Sequence, residues 1–272
     1  MRFDGCRALV TGASAGIGRE FARQLSGRAA SIILVARRRE RLEELCQELN
    51  RRDPNLKVHV RVADLGDLAQ VNALVDWLEQ EKIEIDFLIN NAGLGDLGSF
   101  ATCAPERIER MVSVNMLALT LLTRRLLPAM LRKKRGAILN VSSSAGFLPI
   151  AEFSVYAATK AYVNSFSEGL RAELRGSGVS VCALCPGPVH TEFTQAAQRP
   201  TEPPIPLGTE IVYVSAQDVA RAGLAAVERD RPLVIPGLVM KLAMFLVRLT
   251  PMPILRLASA SGLSAKRRRS SE

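Results

Sequence analysis

Histidine is nearly missing from this chain. Only His59 and His190 carry an imidazole among 272 residues. Neither has a second ligand at metal-binding spacing, so no metal centre is called for. Aromatic residues are also scarce, at 5% against 48% hydrophobic. Ala, Leu and Val fill many of the apolar positions instead, which suits parallel strands covered by helices. A secretory signal core is lacking, because Met1 to Cys6 leads straight into a strand-like run. The five cysteines (Cys6, Cys46, Cys103, Cys182 and Cys185) are odd in number and scattered. They point to a reduced, cytoplasmic setting rather than a disulfide framework. Cys182-Ala-Leu-Cys185 has redox spacing, but it falls in a strand-like run where residues three apart face opposite sides; core thiols are the expectation. The charge balance of +9 comes without any motif of a DNA- or RNA-reading fold, so no nucleic-acid partner is expected. Most of the basic clusters, such as Arg37-Arg38-Arg39 and Arg132-Lys133-Lys134-Arg135, read as solvated helix faces.

What the chain does have is alternation. Short apolar runs at 8–10, 31–36, 58–62, 86–89, 137–141, 179–184 and 233–235 read as strands. Amphipathic stretches at 17–25, 39–49, 68–78, 105–131, 155–174 and 217–228 read as helices, the last with Ser215 as a candidate cap. This order predicts an α/β fold: a Rossmann-type doubly wound parallel sheet flanked by helices on both faces, as a single domain over 1–236. Ligands of such a sheet bind outside the carboxyl ends of its strands. Two segments break the rhythm. Residues 186–214 are proline-rich and without clear period, and they follow a strand end, as a lid would. Residues 237–257 form an apolar extension, too interrupted by Lys241, Arg248, Pro251, Pro253 and Arg256 to span a bilayer. Packing on the domain or on a partner subunit is the favoured reading, ahead of a peripheral membrane contact. Residues 258–272 read as a basic, disordered tail.

Thr11-Gly12-Ala13-Ser14-Ala15-Gly16-Ile17-Gly18 directly follows the first strand and opens the first helix. Gly12 permits the tight turn, Gly16 lets backbone approach a phosphate, and Gly18 allows close packing of the helix. The helix N-terminus offers N–H groups and a partial positive charge to a pyrophosphate. The second strand ends in Ala36-Arg37-Arg38. An acid near that point would bind ribose hydroxyls and select NAD(H). An arginine instead can pair bidentately with a 2′-phosphate, which favours NADP(H) over NAD(H), with Ser14 adding a hydroxyl. Arg37, nearest the strand end, is the candidate, while Arg38 and Arg39 read as a solvated first helical turn. Asp64-Leu65 ends the third strand where an adenine would lie, and a plain helix N-cap by Asp64 competes with that reading.

Tyr156 and Lys160 lie four apart on a predicted helix, so their polar ends can share one site. A free tyrosine has a pKa of about 10, and a nearby cation lowers it toward the range useful for proton transfer. Ser143 stands thirteen positions upstream of Tyr156, at the end of the fifth strand. Alone, the Tyr–Lys pair reads first as part of a solvated helix face.

Together these residues resemble the short-chain dehydrogenase/reductase family, in its NADP(H)-preferring branch. The matching pieces are the Thr11–Gly18 turn, Asn90-Asn91-Ala92-Gly93, Asn115, Asn140-Val141-Ser142-Ser143, Tyr156-x-x-x-Lys160 and Pro186-Gly187-Pro188-Val189-His190-Thr191. The resemblance spans 7–236. It implies an enzyme interconverting a carbonyl and a secondary alcohol, with NADP(H) preferred and NAD(H) possible. Tyr156 would be the general acid or base, and Lys160 would bind the nicotinamide ribose and lower the Tyr156 pKa. Ser143 would polarise the substrate oxygen, and Asn115 would hold a water beside Lys160. Asn91, Ala92 and Gly93 would pass beneath the cofactor, and Pro186, Gly187, Val189 and Thr191 would bind its carboxamide. The small-molecule substrate would be apolar, held by Leu94, Leu97, Phe147, Leu148, Ile150, Phe153 and Phe193. By the same analogy the chain forms a homodimer or homotetramer.

Overall fold

A computed structural model describes residues 2–200, 210–251 and 253–256. Pro203, Pro204 and Pro206 of the expected lid and the whole 258–272 tail lie outside the described residues. Among the described residues, seven strands form one parallel sheet: β1 (Arg7–Thr11), β2 (Ser31–Ala36), β3 (Lys57–Val62), β4 (Phe87–Asn90), β5 (Gly136–Val141), β6 (Val179–Leu184) and β7 (Leu233–Val234). Their order is β3-β2-β1-β4-β5-β6-β7, which is the doubly wound fold the alternation predicts. The period of two along each strand distributes side chains to two cores. Ala8, Val10, Ile32 and Leu34 enter one, beneath α1 (Gly16–Leu25), α2 (Arg39–Arg52) and α8 (Ala216–Glu228). Leu9, Ile33 and Val35 enter the other, beneath α3 (Leu68–Gln80) and α5 (Leu119–Lys133). The chain reverses winding direction between β1 and β4. That leaves a crevice at their carboxyl ends, where helices on opposite faces diverge.

Three local departures shape this crevice. Residues 105–131 read as one helix, and the helix is continuous, but between α4 (Pro105–Val112) and α5 a π-helical segment, Ser113–Ala118, widens the backbone. Asn115 sits in that segment. The widening redirects its side chain, and such π segments often mark functional positions. Second, the lid is not free of regular structure: α7 (Glu192–Ala197) forms there, capped by Thr191, whose hydroxyl accepts from Phe193 N–H at 3.3 Å. A six-residue helix gives too short a run for periodicity to reveal it. Third, α9 (Leu238–Leu249) forms from the apolar extension and ends just before Pro251, which cannot continue a helix. Its Met240 and Met244 are buried.

The helix caps settle two readings. Ser215 Oγ accepts from Asp218 N–H at 3.0 Å and caps α8. Asp64 is not the cap of α3; Asp67 is, accepting from Ala69 N–H at 2.9 Å. The helix starts three residues later than an Asp64 cap would require, which frees the Asp64 carboxylate for Gly66 N–H and an ion pair with Arg110 at 2.7 Å. Cys182 and Cys185 are buried thiols that burial pushes up to about 12.

Candidate active site

The glycine turn takes the shape its residues require. Gly12 and Gly16 have φ of +65° and +52°, the left-handed region that penalises other L-residues. A Cβ on Gly18 would stand 2.3 Å from the Gly12 carbonyl oxygen, so α1 can lie against the turn only with glycine there. Ala15 at the N-cap makes no side-chain hydrogen bond, and no acid lies in the first turn. The N-terminus of α1 therefore presents its dipole to the crevice without a neutralising carboxylate. Thr11 and Asn91 tie the ends of β1 and β4 together across the reversal. Thr11 Oγ1 accepts from Asn91 N–H and Ala92 N–H at 2.8 and 3.0 Å, while Asn91 Nδ2 donates to Thr11 O at 2.9 Å.

One cavity of about 640 Å³ runs along this crevice. At one end it meets Ser14, Arg37, Arg38, Asp64 and Leu65; its floor includes Gly12, Gly16, Ile17, Asn91, Ala92 and Gly93. At the other end lie Ser143, Tyr156 and Lys160, with Pro186, Gly187, Val189 and Thr191 along the lid. Of the predicted catalytic and cofactor-binding residues, Gly18 and Asn115 do not line it. Gly18 supports the turn. Asn115 is buried behind Gly93, where its Oδ1 accepts from Leu94 N–H at 2.8 Å and its Nδ2 donates to Leu94 O and Thr159 Oγ1 at 2.9 and 3.0 Å. The residue thus fixes the strand-end loop to the helix that carries Tyr156, α6 (Ser154–Glu173).

At the phosphate end the sequence reading put Arg37 first, yet Arg38 makes the contacts. Its guanidinium reaches Ser14 Oγ at 3.2 Å and Glu192 at 2.7 Å. Arg41, one turn further into α2, also pairs with Glu192. These two arginines hold the Glu192 carboxyl well below its ordinary range, at about 2. Arg38 is the N-cap residue of α2, with an extended φ of −86° and ψ of 97°. Its backbone is extended rather than helical, so its exposed side chain can fold back over the glycine turn.

At the chemical end Tyr156 is clamped between two rings, with centroids 4.2 Å from Phe153 and 5.3 Å from Phe193 of α7. Burial pushes its phenol up to about 12, against a smaller downward effect of its hydrogen bond with Ser143. Lys160 adds no lowering of its own here, and desolvation of the phenolate sets the direction. Lys160 Nζ lies 5.6 Å from the Tyr156 ring centroid and donates to Val141 O at 2.8 Å. Burial in turn depresses Lys160 to about 8. Ser143 Oγ accepts from Ala145 N–H at 3.1 Å and so is held at the strand end.

The apolar wall contains Leu94, Leu97, Leu148, Ile150, Phe153 and Phe193, as expected, but not Phe147, which lies under Arg248 with the guanidinium 4.9 Å from its ring centroid. Met240 and Met244 of α9 complete the wall; their i, i+4 spacing was the only signal in the sequence. His190 does not face the cavity and stacks on Tyr213 at 4.4 Å. Asp96 is a further residue the sequence did not single out. Burial raises its carboxyl, but hydrogen bonds from Arg199, Cys103 and Arg107 outweigh that and hold it at about 2. Through Arg199 Nε at 3.1 Å it ties the far end of α7 to the loop after β4.

An uncapped helix end over a glycine turn, an arginine pair at one end of a crevice and a Tyr–Ser–Lys group at the other define a dinucleotide-dependent oxidoreductase site. The family model for short chain dehydrogenases matches residues 7–202, and the chain belongs to that family. It is 38% identical over 188 residues to the NADP-dependent 3-hydroxy acid dehydrogenase of Escherichia coli, covering 68% of this chain and 74% of that one. It is 32% identical over 206 residues to the very-long-chain 3-oxoacyl-CoA reductase of Anas platyrhynchos. That match spans 74% of this chain but only 65% of the duck protein. Among solved structures, a short-chain dehydrogenase from Sphingobium yanoikuyae in complex with NADPH superposes with a TM-score of 0.77 at 35% identity, covering 86% of this chain and 88% of that one.

Proposed function

We propose that the protein reduces an apolar carbonyl compound to a secondary alcohol with NADP(H), and runs the reverse oxidation. The observation that carries this reading is the convergence of Tyr156, Ser143 and Lys160 on one end of the cavity, beside its apolar wall. The crevice fits the dinucleotide: the uncapped N-terminus of α1 suits a pyrophosphate, and Arg38 with Ser14 suits a 2′-phosphate. That the Arg38–Arg41 pair already takes a carboxylate from Glu192 supports an anion-binding role there. Arg37, on the cavity wall, adds a second positive charge. NADPH, when bound, supplies the hydride.

The chain's own residues handle the proton and the developing charge. Ser143 and Tyr156 both donate to the carbonyl oxygen, which becomes negative as it is reduced. With its phenol near 12, Tyr156 holds its proton throughout the neutral range and stands ready as the acid. Lys160 is mostly protonated below about 8 and would hydrogen-bond the nicotinamide ribose beside Tyr156. Asn115 positions the loop at Gly93 against α6 and keeps this group in register. The Phe153 and Phe193 rings exclude water around Tyr156. Hydrophobic side chains on the remaining wall favour a ketone or aldehyde with a sizeable apolar body. The test is oxidation of NADPH, with NADH alongside, over carbonyl compounds graded by size and polarity. Activity with apolar carbonyls and a preference for NADPH is expected; activity confined to small charged carbonyls would overturn the substrate assignment.

A further inference from the structure

We infer that α9 docks the protein onto an anionic lipid surface, lying in the plane of the membrane. The sequence alone favoured packing for this segment, but packing uses only one of its faces. Met240 and Met244 point inward, while Leu238, Val239, Leu242, Phe245, Leu246 and Leu249 are between 48% and 82% exposed. At about 100° per residue those six side chains fall on one arc of the helix, opposite the methionines. Ile254 continues the patch beyond the helix. Among the described residues the other exposed large apolar side chains are Val62, Leu68, Phe100, Leu117, Leu131 and Ile211, and they are spread over separate elements. A contiguous patch of this kind marks an interaction surface.

Charge decides which surface it meets. From Gly237 to the end of the chain there are seven cations (Lys241, Arg248, Arg256 and Lys266-Arg267-Arg268-Arg269) and one acid, Glu272. Lys241 and Arg248 stand at one edge of the apolar arc; the Lys241 stem can lie along the hydrocarbon boundary with its charge at the headgroups, while Arg248 lies over Phe147. A second copy meeting this face would bring like charges together, with no acid on α9 to pair them. Spanning is excluded by length: twelve residues reach about 18 Å, short of the roughly 30 Å of a hydrocarbon core. An apolar arc edged by cations matches an interfacial helix, and the basic residues match an anionic leaflet. Because the inner face of α9 walls the cavity, docking sets that wall directly under the lipid.

Flotation of the full-length chain with vesicles tests this without reference to activity. Binding is expected to vesicles containing phosphatidylglycerol or phosphatidylserine, weakly if at all to pure phosphatidylcholine, and to fall as salt rises. The pair Phe245→Ser and Leu249→Ser, both solvent-facing, should cut binding at least ten-fold with an unchanged melting temperature. Lys241→Gln should cut it about five-fold at low salt. Should the serine pair fail to fold, Leu242→Ser takes its place. Equal binding to neutral and anionic vesicles, or none to either, would overturn the proposal. So would sedimentation showing that the serine pair dissolves an oligomer, since the face would then belong to a second copy.

Discussion

Replacing Lys160 by methionine removes a cation from a site where the side chain is 4% exposed. Burial depresses its pKa from 10.5 to about 8. For a base, a depressed value means that protonation opposes folding. Below about 8 both folded and unfolded chains carry the proton, and the folded state bears the full desolvation cost. Between about 8 and 10.5 the unfolded chain holds more protons, so stability rises with pH. At 1.36 kcal/mol per pKa unit the whole effect is about 3 kcal/mol, and about 2 kcal/mol of it is recovered between pH 7 and roughly 9.5. The Cys185 thiol beside Lys160, pushed to about 12, and Tyr156, also near 12, stay neutral over that interval. Methionine fills similar volume but orphans the Val141 carbonyl that Nζ now satisfies at 2.8 Å, at about 1–3 kcal/mol. The absolute change at neutral pH is therefore small. The informative quantity is how the difference between the two proteins moves with pH, since groups titrating in both cancel. Urea unfolding at pH 7 and at about 9.5 should show the wild type gaining about 2 kcal/mol on Lys160→Met. A difference independent of pH would mean that Lys160 is not desolvated in the folded state, and the electrostatic account of the site would fail.

At the other end of the crevice, Arg38→Ala should weaken NADPH binding by about 10- to 100-fold, the loss of a charge-assisted contact, and NADH by far less. Arg37→Ala should have the smaller effect of the two; the reverse order in titration calorimetry would return the phosphate to Arg37. Asp96→Asn removes the anion from a buried pair with Arg199, and should destabilise the fold by about 3 kcal/mol or more. Because the Asp96 carboxyl sits at about 2, below its ordinary 3.8, its contribution is present above that ordinary value and fades as pH falls toward 2. A melting temperature that is unchanged in Asp96→Asn at pH 7 would show that this tie does not hold the lid.

The sheet was legible because most strands are short apolar runs, β3 alternating valines with Lys57, His59 and Arg61, and the alternation with helices leaves little freedom in topology. The glycine turn and the Tyr156–Lys160 helix were legible because their chemistry depends on local spacing. What escaped the sequence depends on contacts between distant segments. The partners of the exposed Arg38, Ser14 and Glu192, come from other parts of the chain. The Asp96–Arg199 tie joins residues far apart in sequence. The fate of the Tyr156 pKa could not be read from its cationic neighbour alone, because burial by Phe153 and Phe193, the second from a helix too short to predict, outweighs it. For Asn115 the resemblance implies a water beside Lys160, whereas its amide bonds to Leu94 and Thr159 from a π segment that has no sequence signature.

The proton carried by Tyr156 is the centre of the account, and Tyr156→Phe tests it most directly. The substitution removes one oxygen and keeps the ring between Phe153 and Phe193, so the cavity should retain its shape. NADPH oxidation with an apolar ketone and NADPH affinity are to be measured on the same preparation. The account predicts a loss of at least 100-fold in turnover, the usual scale of a general acid, with NADPH affinity within about three-fold of wild type. A Phe variant that binds NADPH and keeps most of its turnover would contradict it.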